Sequence, residues 1–176
     1  MNRYLQHDPW CIIEEGFHPE KQLASESIFS LSNGHMGQRA NFEEYYSGET
    51  MLGSYVAGIY YPEKAERGSW KNGYSEFNDK IVNAPNWTVI SVRLNDERLD
   101  IGEWDLANFK RVLNMREGYL ERTFEATSFK GHRIQVTVKR FLSMAENEIG
   151  VISYTVKSLN YDGRISFLPL IDGDVR

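Results

Sequence analysis

The chain has 176 residues, a formal net charge of −5, 41% apolar residues and 13% aromatic residues. This composition is far from that of disordered sequences, which lack the apolar surface needed to offset ordering entropy. Acidic and basic residues interleave from end to end, so no sustained positive field exists to attract nucleic acid. No run reaches the roughly eighteen apolar residues of a membrane helix, and the first ten residues lack the apolar core of a secretory leader. Cys11 is the single cysteine, which rules out an internal disulfide and a thiolate metal cluster. One folded domain in the cytoplasm, without membrane or nucleic-acid partners, is expected, and Cys11 reads as a small packed hydrophobe.

In chain order, glycines at 34, 37, 48, 53, 58, 68 and 73 favour short strands and shaped loops over long helices, because each helical glycine costs about 1 kcal/mol relative to alanine. Residues 24–31 and 51–61 are the strand candidates in this half. Residues 87–94 alternate, with Thr88, Ile90, Val92 and Leu94 on one face and Trp87, Val89, Ser91 and Arg93 on the other, before a turn at Asn95-Asp96. Residues 104–115 read as a loop with a helical turn. Residues 119–127 and 133–143 are rich in aromatic and β-branched side chains and flank a glycine-bearing loop, which predicts a hairpin. Residues 149–157 and 164–171 read as a second pair turning at Asp162-Gly163. The pattern is that of an antiparallel all-β sandwich.

Motifs that carry chemistry are sparse. The run Asn33-Gly34-His35-Met36-Gly37-Gln38-Arg39 lacks both the lysine of a phosphate loop and the three-glycine dinucleotide pattern, so it reads as a turn between strands or as the wall of a sugar site. His7, His18, His35 and His132 are scattered, without metal-ligand spacing. Glu14-Glu15 and Glu43-Glu44 are adjacent carboxylates, which on a strand point to opposite faces and so do not flank a bond as a glycosidase pair must. Tyr60-Tyr61, Trp70-Lys71-Asn72-Gly73-Tyr74 and Asn86-Trp87 place flat rings beside amides and charges. That combination suits a carbohydrate surface, or an aromatic layer sealing an interface or core, and Trp87 reads first as core.

Several of these segments carry a resemblance. The run from Glu26 through Asn33-Gly34-His35-Met36-Gly37-Gln38-Arg39-Ala40-Asn41 to Glu44 resembles the opening signature of glycoside hydrolase family 65, the maltose phosphorylase group. Gly53-Ser54-Tyr55-Val56-Ala57-Gly58-Ile59-Tyr60, Trp70-Lys71-Asn72-Gly73-Tyr74, Asn83-Ala84-Pro85-Asn86-Trp87, Arg111-Val112-Leu113-Asn114-Met115-Arg116-Glu117-Gly118, Arg140-Phe141-Leu142-Ser143 and Ile171-Asp172-Gly173 extend it along most of the chain. The sequence departs from the family pattern at His35, Ala40 and Asn114.

The resemblance implies a galactose mutarotase-like super-β-sandwich of antiparallel strands, here a truncated N-terminal domain over residues 1–176. The family's catalytic (α/α)₆ barrel is absent from this chain. It also implies inverting phosphorolysis, in which a barrel glutamic acid protonates the glycosidic oxygen while inorganic phosphate attacks the anomeric carbon. No residue here matches that acid. Asn33, His35, Arg39, Trp70, Lys71, Asn72, Tyr74, Asn86 and Trp87 are the substrate-pocket or interface candidates. No cofactor or metal is implied; phosphate is a substrate, and the expected partners are the barrel of the same polypeptide, a disaccharide and a second subunit. Maltose is the leading substrate, with kojibiose, nigerose or trehalose phosphorolysis, or hydrolysis, as alternatives. A freestanding carbohydrate-binding module and a structural or oligomerising domain are the rival classes.

Overall fold

The structure, a computed structural model, describes residues 4–65 and 76–174. The chain opens with β1 (Leu5–His7) and β2 (Cys11–Glu15), then a 3-10 turn (Pro19–Lys21) that runs into the single helix among the described residues, α1 (Gln22–Ile28). Next come the short strands β3 (Leu31–Ser32), β4 (Met36–Gln38) and β5 (Ser54–Val56), and the hairpin β6 (Tyr60–Lys64) and β7 (Phe77–Ile81). β8 (Ile90–Leu94) and β9 (Glu97–Arg98) precede the long strands β10 (Asp105–Asn114), β11 (Tyr119–Thr127), β12 (Arg133–Leu142) and β13 (Gly150–Ser158), and β14 (Ile165–Pro169) follows. Six strands form the main sheet in the order β1-β2-β10-β11-β12-β13, and β14-β8-β9 form a second sheet. Every strand pair is antiparallel.

The two sheets form a sandwich because alternation gives each an apolar face. Phe124, Ala126, Ile134, Val136 and Val138 from the main sheet meet Val92 and Leu94 of β8, with Leu99, Ile101 and Trp104 from the connection into β10. A smaller cluster of Phe29, Leu31, Ala40, Leu113, Leu120 and Leu142 joins the helix exit to the other end of the main sheet. The β6–β7 hairpin stands apart, with every described residue of both strands exposed.

Four sequence expectations need correction. Of residues 24–31, 24–28 belong to α1 and only Leu31 enters a strand: α1 buries Gln22, Ser25 and Glu26 at helical spacing, a polar stripe that apolar periodicity cannot reveal. Residues 104–115 are not a loop with a helical turn but largely β10. Asn108, at φ 53, sits in a register shift between Ala107 and Lys110 that breaks the alternation. Residues 149–157 and 164–171 do form strands, yet not a hairpin; β13 closes the main sheet while β14 pairs with β8. Within the connection that crosses between sheets Tyr161 is buried, its ring centroid 4.6 Å from that of His132 at an interplanar angle of 55°. Finally, Glu43 and Glu44 do not diverge: they lie outside any strand and both carboxylates reach Arg122 Nη2. The strand within 87–94 begins only at Ile90, and 51–61 divides into β5 and the start of β6 around Gly58 at φ 86.

Candidate functional site

The residues singled out from sequence separate into different places. Asn33 is a clamp: its Oδ1 accepts the N–H groups of His35 (3.1 Å) and Met36 (2.8 Å), and its Nδ2 donates to the carbonyls of Ser143 (2.7 Å) and Asn147 (2.9 Å). This side-chain turn, with Gly34 at φ 85, fixes the β3–β4 loop against the end of β12. His35 lines an open groove of ≈ 560 Å³ with Met36, Tyr55, Val56, Tyr60 and Ile81. Arg39 turns inward, donating from Nε to the Met51 carbonyl (2.9 Å) and from Nη2 to the Leu23 carbonyl (3.2 Å), with Glu26 at 3.8 Å. Trp87 is half-buried against the smaller apolar cluster, and a Cβ at Gly150 would come within 2.3 Å of its ring. Asn86 is buried, and its Oδ1 accepts from the Thr88 N–H (3.2 Å) and hydroxyl (2.9 Å). Trp70, Lys71, Asn72 and Tyr74 lie outside the described residues. Asn33 and His35 therefore share one turn, while Arg39, Asn86 and Trp87 each serve separate surroundings.

The largest concentration of charge went unrecognised in the sequence. Strand pairing aligns Glu14, Arg111, Arg122, Val138 and Tyr154 in one row across the main sheet, and places Arg140 in the next row beside Leu120. All three arginines are buried. Arg122 pairs with Glu43 at 2.7 Å and with Glu44, Arg140 pairs with Glu43 at 3.1 Å, and the Tyr154 hydroxyl donates to Glu44 at 2.6 Å. Arg111 donates to Gln22 (2.9 Å) and stands 3.5 Å from Glu14; Gln22 in turn donates to Glu26 (3.1 Å). The missed signal is parity: Arg122 falls in the inward series of Leu120, Phe124 and Ala126, and Arg140 in that of Val136, Val138 and Leu142.

The electrostatics follow from burial. Burial opposes ionisation of Glu43, but Arg140 and Arg122 overcome it and hold the carboxyl below the usual range. Glu14 goes the other way, raised by burial that Arg111 only partly offsets. Burial pulls Arg111 down to about 10 despite Glu14. The Tyr154 hydroxyl is pushed well up by burial and by the Glu44 charge. Glu14, Glu43 and Glu44 and the three arginines are buried, Tyr154 is partly buried, and the Glu44 carboxylate oxygens are taken by Arg122 and the Tyr154 hydroxyl.

A smaller cavity of ≈ 220 Å³ is lined by Glu44, Tyr45, Tyr46, Leu52, Asn86 and Asp172 among others. Among the described residues, no group of three or more potential ligands could hold a metal, and no helix is long and apolar enough to cross a membrane.

A family-wide sequence model for the N-terminal domain of glycosyl hydrolase family 65 matches residues 12–176. The chain is 38% identical over 98% of its length to maltose phosphorylase of Bacillus subtilis (strain 168), of which it covers 23%. It is 31% identical over 96% of its length to α,α-trehalose phosphorylase of Thermoanaerobacter brockii, of which it covers 22%. A solved structure of a candidate kojibiose phosphorylase from the human microbiome superimposes with a TM-score of 0.76 at 36% identity, covering 88% of this chain and 21% of that one. The chain thus spans between 21% and 23% of the length of these relatives. The match along nearly the whole chain, on an antiparallel sandwich, shows that this chain belongs to glycosyl hydrolase family 65 and carries its N-terminal domain.

Proposed function

We propose that the chain is the non-catalytic N-terminal part of an inverting disaccharide phosphorylase that converts maltose and phosphate to β-glucose 1-phosphate and glucose. The observation that carries the substrate is the 38% identity to a maltose phosphorylase, against 31% to a trehalose phosphorylase and to a kojibiose phosphorylase from the same organism. The non-catalytic role is supported by the state of the carboxylates. Glu14, Glu26, Glu43 and Glu44 are all buried and face arginines or the backbone of the domain itself. Protonating a glycosidic oxygen requires a carboxylic acid within hydrogen-bond reach of it, which these positions do not offer. In this reading the acid and the phosphate site belong to the catalytic barrel of the parent enzyme, phosphate is a substrate, and no cofactor takes part.

The exposed Tyr60, Tyr61, Phe77 and Ile81 of the β6–β7 hairpin support a role in docking the barrel or a second subunit of a cytoplasmic homodimer. An isolated two-stranded hairpin is marginal in water, so a covering surface would stabilise it. The test compares the 176-residue chain with its full-length parent on maltose, trehalose, kojibiose and nigerose in phosphate buffer. Release of glucose 1-phosphate by the parent alone, fastest from maltose, is expected. Turnover by the short chain would overturn the non-catalytic role, and a different preferred disaccharide would overturn the substrate.

A further inference from the structure

We infer that the ≈ 220 Å³ cavity is a binding site for one neutral hexopyranose ring. Its floor is the isolated antiparallel bridge between Asn86 and Asp172, closed by two backbone hydrogen bonds of 2.8 Å each. Residues directly opposite in such a bridge project to the same side, and both side chains line the cavity. The Asn86 Oδ1 is held by the Thr88 N–H and hydroxyl, which fixes the amide and leaves Nδ2 as a donor with no partner among the described residues. Asp172 accepts the Asp174 N–H on Oδ1 (3.0 Å), and its Oδ2 has no partner among the described residues.

A fixed amide donor beside a carboxylate acceptor matches adjacent sugar hydroxyls, each of which both donates and accepts. The remaining walls supply the apolar part. Tyr45, Tyr46, Leu52 and Val89 offer surface for sugar C–H groups. Tyr45 is held in place by Arg98, whose guanidinium lies 3.6 Å from the ring centroid, and Ser47 is tied to Asp100 by two hydrogen bonds of 3.0 and 3.1 Å, so the 45–47 turn is preorganised. The volume is below the roughly 300–1,000 Å³ of pockets that enclose drug-sized ligands, which fits one ring rather than a disaccharide. The acidic residues of the lining are Asp172 and Glu44, the latter with both carboxylate oxygens taken by Arg122 and Tyr154, and the lining has no basic residue, so a sugar phosphate is disfavoured.

The inference does not depend on phosphorolysis, and its test reads the two apart. The isotope-labelled 176-residue chain is titrated with D-glucose, glucose 1-phosphate and glycerol while its amide resonances are followed. Glucose should give saturable shifts around residues 45–47 and 86–89 with half-saturation at about millimolar concentration. Glucose 1-phosphate should bind more weakly and glycerol should not saturate. Asp172→Asn should weaken glucose binding by about tenfold or more, the loss expected when a charged hydrogen-bond partner is removed. Leu52→Trp, at a position 38% exposed, offers a second way to fill the cavity without touching the bridge, and should remove saturation with thermal unfolding unchanged. Shifts that stay linear with glucose, saturation untouched by either variant in a folded chain, or shifts confined to the His35 groove would each overturn the site.

Discussion

The inner face of the main sheet divides into two halves that obey the same alternation and bury opposite chemistry. At one end, Phe124, Ala126, Ile134 and Val136 are almost completely buried against β8 and its neighbours. At the other, Arg111, Arg122 and Arg140 are buried just as completely. The difference lies in what covers them. β8 satisfies its own backbone through β14 and β9, so hydrocarbon suffices opposite it. The 39–53 segment is mostly irregular, and its buried part, residues 40–44, is irregular backbone away from water that needs partners outside itself. Arg140 Nη2 donates to the Arg39 carbonyl (3.1 Å), Arg122 holds Glu43 and Glu44, and Glu26 accepts from the Met51 N–H (2.9 Å). The charged half takes the place of a second sheet over this part of the domain.

The largest expected effect comes from removing the hub of that half. Arg122→Ala strips the buried Glu43 and Glu44 of their shared partner and should cost about 3–5 kcal/mol, the range for breaking a buried pair on one side. Phe124→Ala in the apolar half should cost a similar roughly 3–5 kcal/mol through cavity formation. Denaturant titration measures both, and the two should differ in pH dependence: the Arg122 deficit shrinks in acid, and the Phe124 deficit does not.

Glu43→Gln isolates that dependence. The folded pKa of Glu43 lies below its unfolded value, so its contribution is complete above the unfolded value of about 4.3 and is lost as pH falls through the folded one. The gap in stability between wild type and E43Q should therefore be constant near neutrality and close only in acid. Glu14, whose pKa is raised, works in the opposite sense: ionised burial is disfavoured in the fold, so E14Q should lose less at neutral pH than E43Q. A gap for E43Q that widens in acid would contradict the pairing.

These contrasts also explain what could be read from residues alone. β11 and β12 were legible because Ile134, Val136 and Val138 alternate cleanly with polar neighbours. α1 was illegible because its buried stripe is Gln22, Ser25 and Glu26, whose partners lie in distant segments. β10 was hidden by the Asn108 irregularity and by an arginine in its inward series. The β13–β14 hairpin was misread because Asp162-Gly163 is turn chemistry, whereas pairing with β8 depends on contacts far upstream. Asn86 stood out among aromatics, but its neighbour in the cavity, Asp172, is brought there by a single bridge that no local pattern announces.

Smaller effects sharpen the comparison outside both halves. Gly150→Ala drives a methyl group into Trp87 and should cost about 1–3 kcal/mol by overpacking, read as a lower unfolding midpoint. Gly34→Ala meets nothing within 4 Å, so only its φ of 85 opposes the change, and about 1–2 kcal/mol is expected.

The central claim is that the domain's buried carboxylates hold its structure and leave the chemistry elsewhere. Steady-state phosphorolysis by the full-length parent carrying Glu14→Gln, Glu26→Gln, Glu43→Gln or Glu44→Gln, measured at a temperature where each variant is folded, tests it most directly. The account predicts lowered unfolding midpoints with kcat within about threefold of wild type, far from the roughly 10²–10⁴-fold loss typical of removing a general acid. A variant that keeps its stability and loses activity by that larger factor would place the reacting acid within this domain and contradict the account.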